Sequence, residues 1–180
     1  MQIDVTGVTG MKLVRAIIAG LVGTAVVLLV AWGVGRLTHS DGDLSALAAA
    51  VVFGVLNTLT WWAALVLQFI FGVIVAIVYA GVFEWVTRRA GFFLGLAIGI
   101  PHAILAGIGV GALPASRMID AGIMPPGAFY EYRGGWCIVG FVLAHMAFGC
   151  IQGAMYGRTR HRVPWVSRPW RVVPHPETNA

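Results

Sequence analysis

Charged side chains are scarce in this 180-residue sequence. Only 11% of its residues are Asp, Glu, Lys or Arg, whereas 59% are hydrophobic, and the mean hydropathy is +0.86. A soluble domain carries about 25% charged residues. So few charges cannot cover the surface of a soluble globule. The composition therefore excludes that class and indicates an integral membrane protein.

Sequence signatures of catalysis are also missing. The chain contains no Gly-x-Ser-x-Gly elbow, no phosphate-binding loop and no paired carboxylates. Its two cysteines, Cys137 and Cys150, fall in one predicted helix, about 20 Å apart along the axis at 1.5 Å per residue. Cysteines that far apart cannot form a disulfide with each other. We therefore expect a non-enzymatic protein without an internal disulfide.

Long apolar stretches dominate what is present. Four of them are long enough for a bilayer core of about 30 Å, which takes about 20 helical residues. A further apolar segment, at about 44–60, is interpreted as an interfacial helix on the outer side, because a fifth span would place Arg88 and Arg89 outside. The sequence thus predicts an all-α membrane protein with four transmembrane helices at roughly 16–37, 62–86, 90–113 and 136–157.

The distribution of basic residues predicts the orientation in the membrane. Most of the twelve Lys and Arg residues fall on one predicted side, which the positive-inside rule assigns to the cytoplasm. We expect a bacterial inner-membrane protein with both termini cytoplasmic and no nucleic-acid partner. Its basic tail is predicted to contact anionic lipid. The predicted regions are a cytoplasmic N-terminus at 1–15, a transmembrane domain at 16–157 and a basic tail at 158–180.

The two halves of the chain resemble each other. The segment LVAWGVGRL at 29–37 matches LAGIGVGAL at 105–113 at five of nine positions, with an offset of 76. The segment QFIFGVIVAIVYA at 68–80 matches HMAFGCIQGAMYG at 145–157, with an offset of 77. We interpret these matches as two helical hairpins, at about 16–86 and 90–157, duplicated in parallel about an axis along the membrane normal.

Small residues recur at every fourth position of the predicted helices. In lipid, such ridges let helix backbones approach closely and gain van der Waals contact. We expect most of them to pack helices within the chain, and some to face another subunit of a homo-oligomer or a larger membrane complex. The predicted packing glycines are Gly91, Gly95, Gly99, Gly107, Gly111, Gly72, Gly149, Gly153 and Gly157.

Two histidines are predicted at the same depth in the membrane. His102 lies about 16 Å and His145 about 18 Å from the inner ends of their helices, at 1.5 Å per residue. Gln68, the repeat counterpart of His145, also lies about 18 Å from its inner end. Polar groups at this depth are costly unless they are paired, and ionisable ones suggest a functional site. The sequence therefore predicts a polar site near the midplane.

The role of this site is open between several alternatives. Neutral His and Gln side chains can cross-link helices by hydrogen bonds, which is the simplest interpretation and needs no cofactor. His102 and His145 can instead ligate a transition metal or a haem iron, or line a path for a small solute or protons. Two other polar residues are predicted toward the cytoplasmic end: Glu84 in an interfacial ion pair near Arg88 and Arg89, and Gln152 in a hydrogen bond between helices.

Three segments of the second half carry a wider resemblance: PHAILAGIGVGALPASRM, MPPGAF and LAHMAFGCIQGAMYG. They resemble small four-helix bacterial integral membrane proteins of unknown function. The shared pattern is a histidine followed by glycine, a small residue and tyrosine, here His145, Gly149, Gly153 and Tyr156. In the first half, Gln68 stands at the histidine position. The resemblance implies the four-helix architecture and no particular activity.

Overall fold

A computed structural model describes residues 11–37, 61–120 and 125–159 of the chain. The predicted interfacial helix at 44–60 lies outside these residues, as do most of the predicted N-terminal region and nearly all of the basic tail. Within the described ranges the helices are joined by short turns and irregular segments, and there is no strand. The helices are α1 (Leu13–Leu37), α2 (Trp61–Gly81), α3 (Phe92–Gly111), the short α4 (Ala115–Asp120) and α5 (Gly135–Tyr156).

Four of these helices, α1, α2, α3 and α5, are long and apolar enough to cross a membrane. This confirms the predicted number of spans for the described part of the chain. A helix satisfies its backbone hydrogen bonds internally, which lipid requires of a spanning segment. The second span continues past α2 through a π-helical segment, Val82–Thr87, and ends at Arg88, which has a φ of 52°.

The first and last residues that the structure describes lie together at one end of the bundle. The Lys12 amide donates to the Tyr156 hydroxyl over 3.1 Å, and the Lys12 ammonium donates to the Arg158 carbonyl. The Thr159 hydroxyl donates to the Arg88 carbonyl over 2.8 Å. We call this the terminal end, formed by residues 11–15, 88–89 and 157–159, and the opposite one the loop end.

The helix α5 is the central helix of the bundle. It packs against both α1 and α3, and α1 also packs against α2. In its most apolar stretch 44% of the residues are buried, against 22–28% in the other three spans. Large apolar side chains on the outer faces remain exposed, among them Val14, Phe93 and Leu105. Such faces suit a lipid environment, where they need no protein cover.

Glycines bring α3 and α5 into backbone contact. A methyl group added to Gly95 would collide with the Gly149 carbonyl, and one added to Gly149 with the Gly95 carbonyl. One added to Gly153 would collide with the Gly91 carbonyl, although Gly91 itself has open space where its own side chain would be. This contact holds the α3 and α5 backbones close together along the halves of these helices that lie nearer the terminal end.

The other predicted packing glycines have different neighbours. A methyl group on Gly99 would lie 2.8 Å from the Met146 Cα, and one on Gly72 would collide with the Thr24 side chain of α1. Gly107 and Gly111 lie against a 3-10 segment, Ala128–Arg133, rather than against a long helix. Gly157 ends α5 with a φ of +71°, a conformation that favours glycine.

Candidate intramembrane binding site

His102 on α3 and His145 on α5 lie side by side inside the bundle. Their ring centroids are 4.8 Å apart and the planes meet at 74°. Counting residues along each helix predicted their common depth, and the close approach of α3 and α5 at Gly95, Gly99 and Gly149 explains why the rings also meet laterally. Both rings are half-buried and line one cavity.

Each histidine has one hydrogen-bond partner, at its Nδ1 atom. The His145 Nδ1 lies 2.7 Å from the Phe141 carbonyl oxygen, one turn earlier on α5. The His102 Nδ1 lies 3.3 Å from the hydroxyl of Tyr79, which comes from α2. Within the described residues, neither Nε2 atom has a hydrogen-bond partner.

Aromatic rings hold the two imidazoles in place. Phe141 lies 4.1 Å from His145 between ring centroids, and Phe148 lies 5.6 Å from His102. Tyr79 packs edge-on against both His102 and Phe148, at 5.7 and 5.8 Å. Edge-to-face contacts of this kind favour defined ring orientations. The histidines are therefore fixed by packing as well as by hydrogen bonds.

The cavity beside the histidines has a volume of about 270 Å³. It is lined mainly by apolar side chains of all four spans, and its lining within residues 11–37, 61–120 and 125–159 includes no Asp, Glu, Lys or Arg. Gln68 on α2 lines the same cavity, so the structure brings together all three residues of the predicted polar site. The Gln68 amide has no hydrogen-bond partner in the described parts of the chain.

The 3-10 segment Ala128–Arg133 covers the loop end of this region. It packs on α3 and α5, and its Tyr130 lines the cavity. The Phe129 ring packs against Gly107 and lies 5.9 Å from Phe141. Phe129 and Tyr130 have φ values of 53° and 63°, in a region that bulky residues rarely adopt. This part of the connection between α3 and α5 is thus a folded segment over the cavity.

A second polar cluster lies apart from the histidines, near the terminal end. Glu84 is 0% exposed and accepts a hydrogen bond of 2.9 Å from the Tyr156 hydroxyl. The sequence predicted an interfacial setting for Glu84 and missed this burial. The Gln152 amide donates to the Ala19 carbonyl on α1 over 2.8 Å, as expected for a hydrogen bond between helices. These residues tie the helices together and do not line the cavity.

Haem does not fit the histidine pair. With metal–nitrogen bonds of about 2.0 Å, two imidazoles on opposite sides of one iron have ring centres roughly 6 Å apart. The observed separation is 4.8 Å, with no space for a porphyrin between the rings. A transition metal would also need further ligands, and among the described residues no third His, Cys, Asp or Glu joins the pair.

We accordingly expect the purified protein to carry far less than one equivalent of iron, copper or zinc. Two imidazoles are an incomplete ligand set for a tetrahedral or octahedral ion. Elemental analysis of protein purified in detergent without chelators measures this directly. Near-stoichiometric metal in the parent protein, lost from a folded His102→Gln/His145→Gln variant, would contradict the interpretation.

Comparisons with known proteins do not assign the chain to a family. No protein-family model, no curated protein and no solved structure matches it.

Sequence reasoning missed Tyr79, Phe141 and Phe148 as parts of the site. Tyr79 lies nearer the terminal end than His102, and only its long side chain reaches the imidazole. One signal was available: Tyr79 is the counterpart of Tyr156 in the proposed repeat. Both tyrosines are buried, with hydroxyls bonded to a titratable side chain of another element.

Proposed function

We propose that this chain is a non-enzymatic, multi-pass protein of the bacterial inner membrane that binds a small neutral molecule between its helices. The observation that carries this proposal is the cavity lined by His102, His145 and Gln68, whose polar atoms include groups with no hydrogen-bond partner among the described residues. Binding sites are typically concave and mostly apolar, with a few convergent polar groups. None of the described lining residues is charged, which favours a neutral ligand, since a buried charge requires a partner.

The size of the cavity sets the scale of the ligand. An engineered cavity of about 150 Å³ in another protein binds benzene. A volume of about 270 Å³ therefore accommodates a benzene-sized ring with substituents. The apolar lining includes Val27, Phe71 and Val75, so most of the ligand surface would be hydrocarbon.

The proposed orientation places both termini in the cytoplasm. Its support is the terminal end of the bundle, where the exposed side chains of Arg15, Arg88, Arg89 and Arg158 come together. Basic residues at one end of a bundle favour the cytoplasmic side and attract anionic lipid headgroups. Under this proposal the basic tail also contacts anionic lipid, and the outer faces of the helices contact lipid, a second copy or a larger membrane complex.

The proposed duplication draws support from equivalent glycine contacts. Gly72 on α2 packs against Gly20 and Thr24 of α1, within the first hairpin. Its repeat counterpart, Gly149 on α5, packs against Gly95 and Gly99 of α3, within the second. We propose that these are corresponding contacts inherited from one ancestral hairpin, with the ligand site lying between the two copies.

Filling the cavity tests the proposed function. Ala106 lines the cavity, whereas its neighbour Leu105 is 71% exposed on the outer face of the same helix. We expect 4-fluorophenol to bind the parent protein saturably in micelles, and Ala106→Phe to weaken that binding at least about tenfold by occupying its space, which corresponds to about 1.4 kcal/mol. The ¹⁹F NMR signal of the probe, titrated with protein, measures the affinity.

The matched control is Leu105→Phe, which adds an aromatic ring one residue away but outside the cavity. It should bind the probe as the parent does, which separates loss of the site from a general effect on partitioning into micelles. Equal binding by the parent and both variants, or a signal that rises with detergent alone, would refute the proposed site.

A further inference from the structure

The two histidines that line the cavity have different hydrogen-bonding groups at Nε2, and this difference specifies the ligand. We propose that the ligand carries a hydroxyl group, which donates its hydrogen to His145 Nε2 and accepts a hydrogen from His102 Nε2. This inference rests on the proposed function and names the chemical class of the molecule bound there: an apolar alcohol or phenol.

The protonation of His145 follows from its partner. A carbonyl oxygen only accepts hydrogen bonds, so the Nδ1 atom that lies 2.7 Å from the Phe141 oxygen must carry a hydrogen. A neutral imidazole has one N–H group, and the cavity-lining residues in the described ranges include no acidic side chain to balance an imidazolium. The His145 Nε2 therefore has a lone pair and acts as an acceptor.

His102 has the other tautomer, with its hydrogen on Nε2 instead of Nδ1. Its Nδ1 lies 3.3 Å from the Tyr79 hydroxyl, and Tyr79 is only 3% exposed. The partner of that hydroxyl in the described structure is His102, so the buried O–H is satisfied as a donor only if it donates to Nδ1. The single hydrogen of a neutral His102 then belongs to Nε2, which acts as a donor.

The oxygen of a single hydroxyl group can form hydrogen bonds with both Nε2 atoms. It is at once a donor and an acceptor, and the two rings that it would join are 4.8 Å apart between centroids. An ether or a ketone could accept from His102 but would leave the His145 lone pair without a donor. A hydrocarbon would satisfy neither nitrogen. Leaving a buried polar group unpaired is costly, so the site should discriminate strongly against such analogues.

Gln68 reaches the same cavity from α2 and offers an amide donor and acceptor for a second polar group. Most of the remaining lining is hydrocarbon and aromatic, which suits an alkyl chain or a ring. Thr24, Tyr130 and Cys137 also line the cavity, and the Thr24 hydroxyl is already bonded to the Gly20 carbonyl. A carboxylate or an ammonium group is disfavoured because none of the lining residues that the structure describes is charged. The specificity therefore rests on one neutral hydroxyl at the histidine pair.

The experiment compares 4-fluorophenol with 4-fluoroanisole, its methyl ether, in ¹⁹F NMR titrations of the full chain in micelles. The two probes share the ring and the fluorine, and the ether lacks the O–H donor. We expect the phenol to bind about tenfold more tightly than the ether after correction for partitioning into protein-free micelles. His145→Phe, which keeps a ring and removes the acceptor, should bring the two affinities within about twofold of each other.

Each outcome decides between the two proposals. Saturable binding of both probes with equal affinity to the parent protein would overturn the hydroxyl inference and leave the cavity as a binding site. Saturable binding of neither probe would overturn the proposed function and the inference with it. The comparison on the parent protein alone suffices if His145→Phe does not fold. A preference for the phenol that persists unchanged in a folded His145→Phe variant would also overturn the assignment to His145.

Discussion

Replacing Gly149 by alanine is expected to lower the free energy of unfolding by about 3 kcal/mol. The added methyl group would collide with the Gly95 carbonyl, and Gly95→Ala would produce the reciprocal collision with the Gly149 carbonyl. A backbone carbonyl cannot rotate away as a side chain can, so α3 and α5 would have to separate. Their separation would also pull His102 away from His145. Unfolding by a denaturing detergent in mixed micelles, followed by circular dichroism, measures the loss.

Gly109→Ala is the matched control for this prediction. Gly109 lies on α3, as Gly95 does, but a methyl group there would meet nothing within 4 Å. A substitution away from any such contact should change the stability by no more than about 0.5 kcal/mol. If Gly149→Ala and Gly109→Ala unfolded at the same detergent fraction, the described backbone contact between α3 and α5 would be contradicted.

Tyr156→Phe is expected to lower the free energy of unfolding by about 2 to 3 kcal/mol. The Tyr156 hydroxyl donates to Glu84 over 2.9 Å and accepts from the Lys12 amide over 3.1 Å. Its removal takes a donor from a wholly buried carboxyl group and an acceptor from the first turn of α1. Because three spans meet at this hydroxyl, its removal should destabilise the whole terminal end of the bundle.

Tyr132→Phe provides the control for the second prediction. Tyr132 is 58% exposed in the 3-10 segment at the loop end. Loss of an exposed hydroxyl should leave the stability within about 0.5 kcal/mol of the parent value. The same mixed-micelle unfolding assay applies to both variants. A Tyr156→Phe protein as stable as Tyr132→Phe would show that the contact between Tyr156 and Glu84 does not hold the helices together.

The number of spans and the depth of the histidines could be predicted because both depend on counting along a helix. Apolar length defines a span, and a fixed rise per residue places His102, His145 and Gln68 at one level. The lateral positions of the helices could not be predicted by counting residues. They depend on which glycines meet, and the contact of Gly95 with Gly149 is a property of two helices rather than of either sequence alone.

The features that the sequence did not predict arise from long side chains and unusual backbone. Tyr79 reaches His102 across a helix interface, and Tyr156 reaches Glu84 in the same manner. Glu84 is buried within the π-helical segment Val82–Thr87, whereas the sequence predicted an interfacial position for it. The left-handed conformations of Phe129 and Tyr130 contradict their local preference, and the surrounding packing against Gly107 and Phe141 maintains them.

The most direct test of the central claim is the ¹⁵N NMR spectrum of the histidine rings, recorded in micelles with and without 4-fluorophenol. We predict that in the ligand-free protein His145 has an unprotonated Nε2 and His102 a protonated one, since their Nδ1 atoms bond to the Phe141 carbonyl and the Tyr79 hydroxyl. Addition of the phenol should shift the His145 Nε2 resonance in the direction of a hydrogen-bonded acceptor, with His102→Gln and His145→Gln variants assigning the signals. Identical histidine spectra with and without a saturating concentration of the phenol would contradict a binding site at this pair.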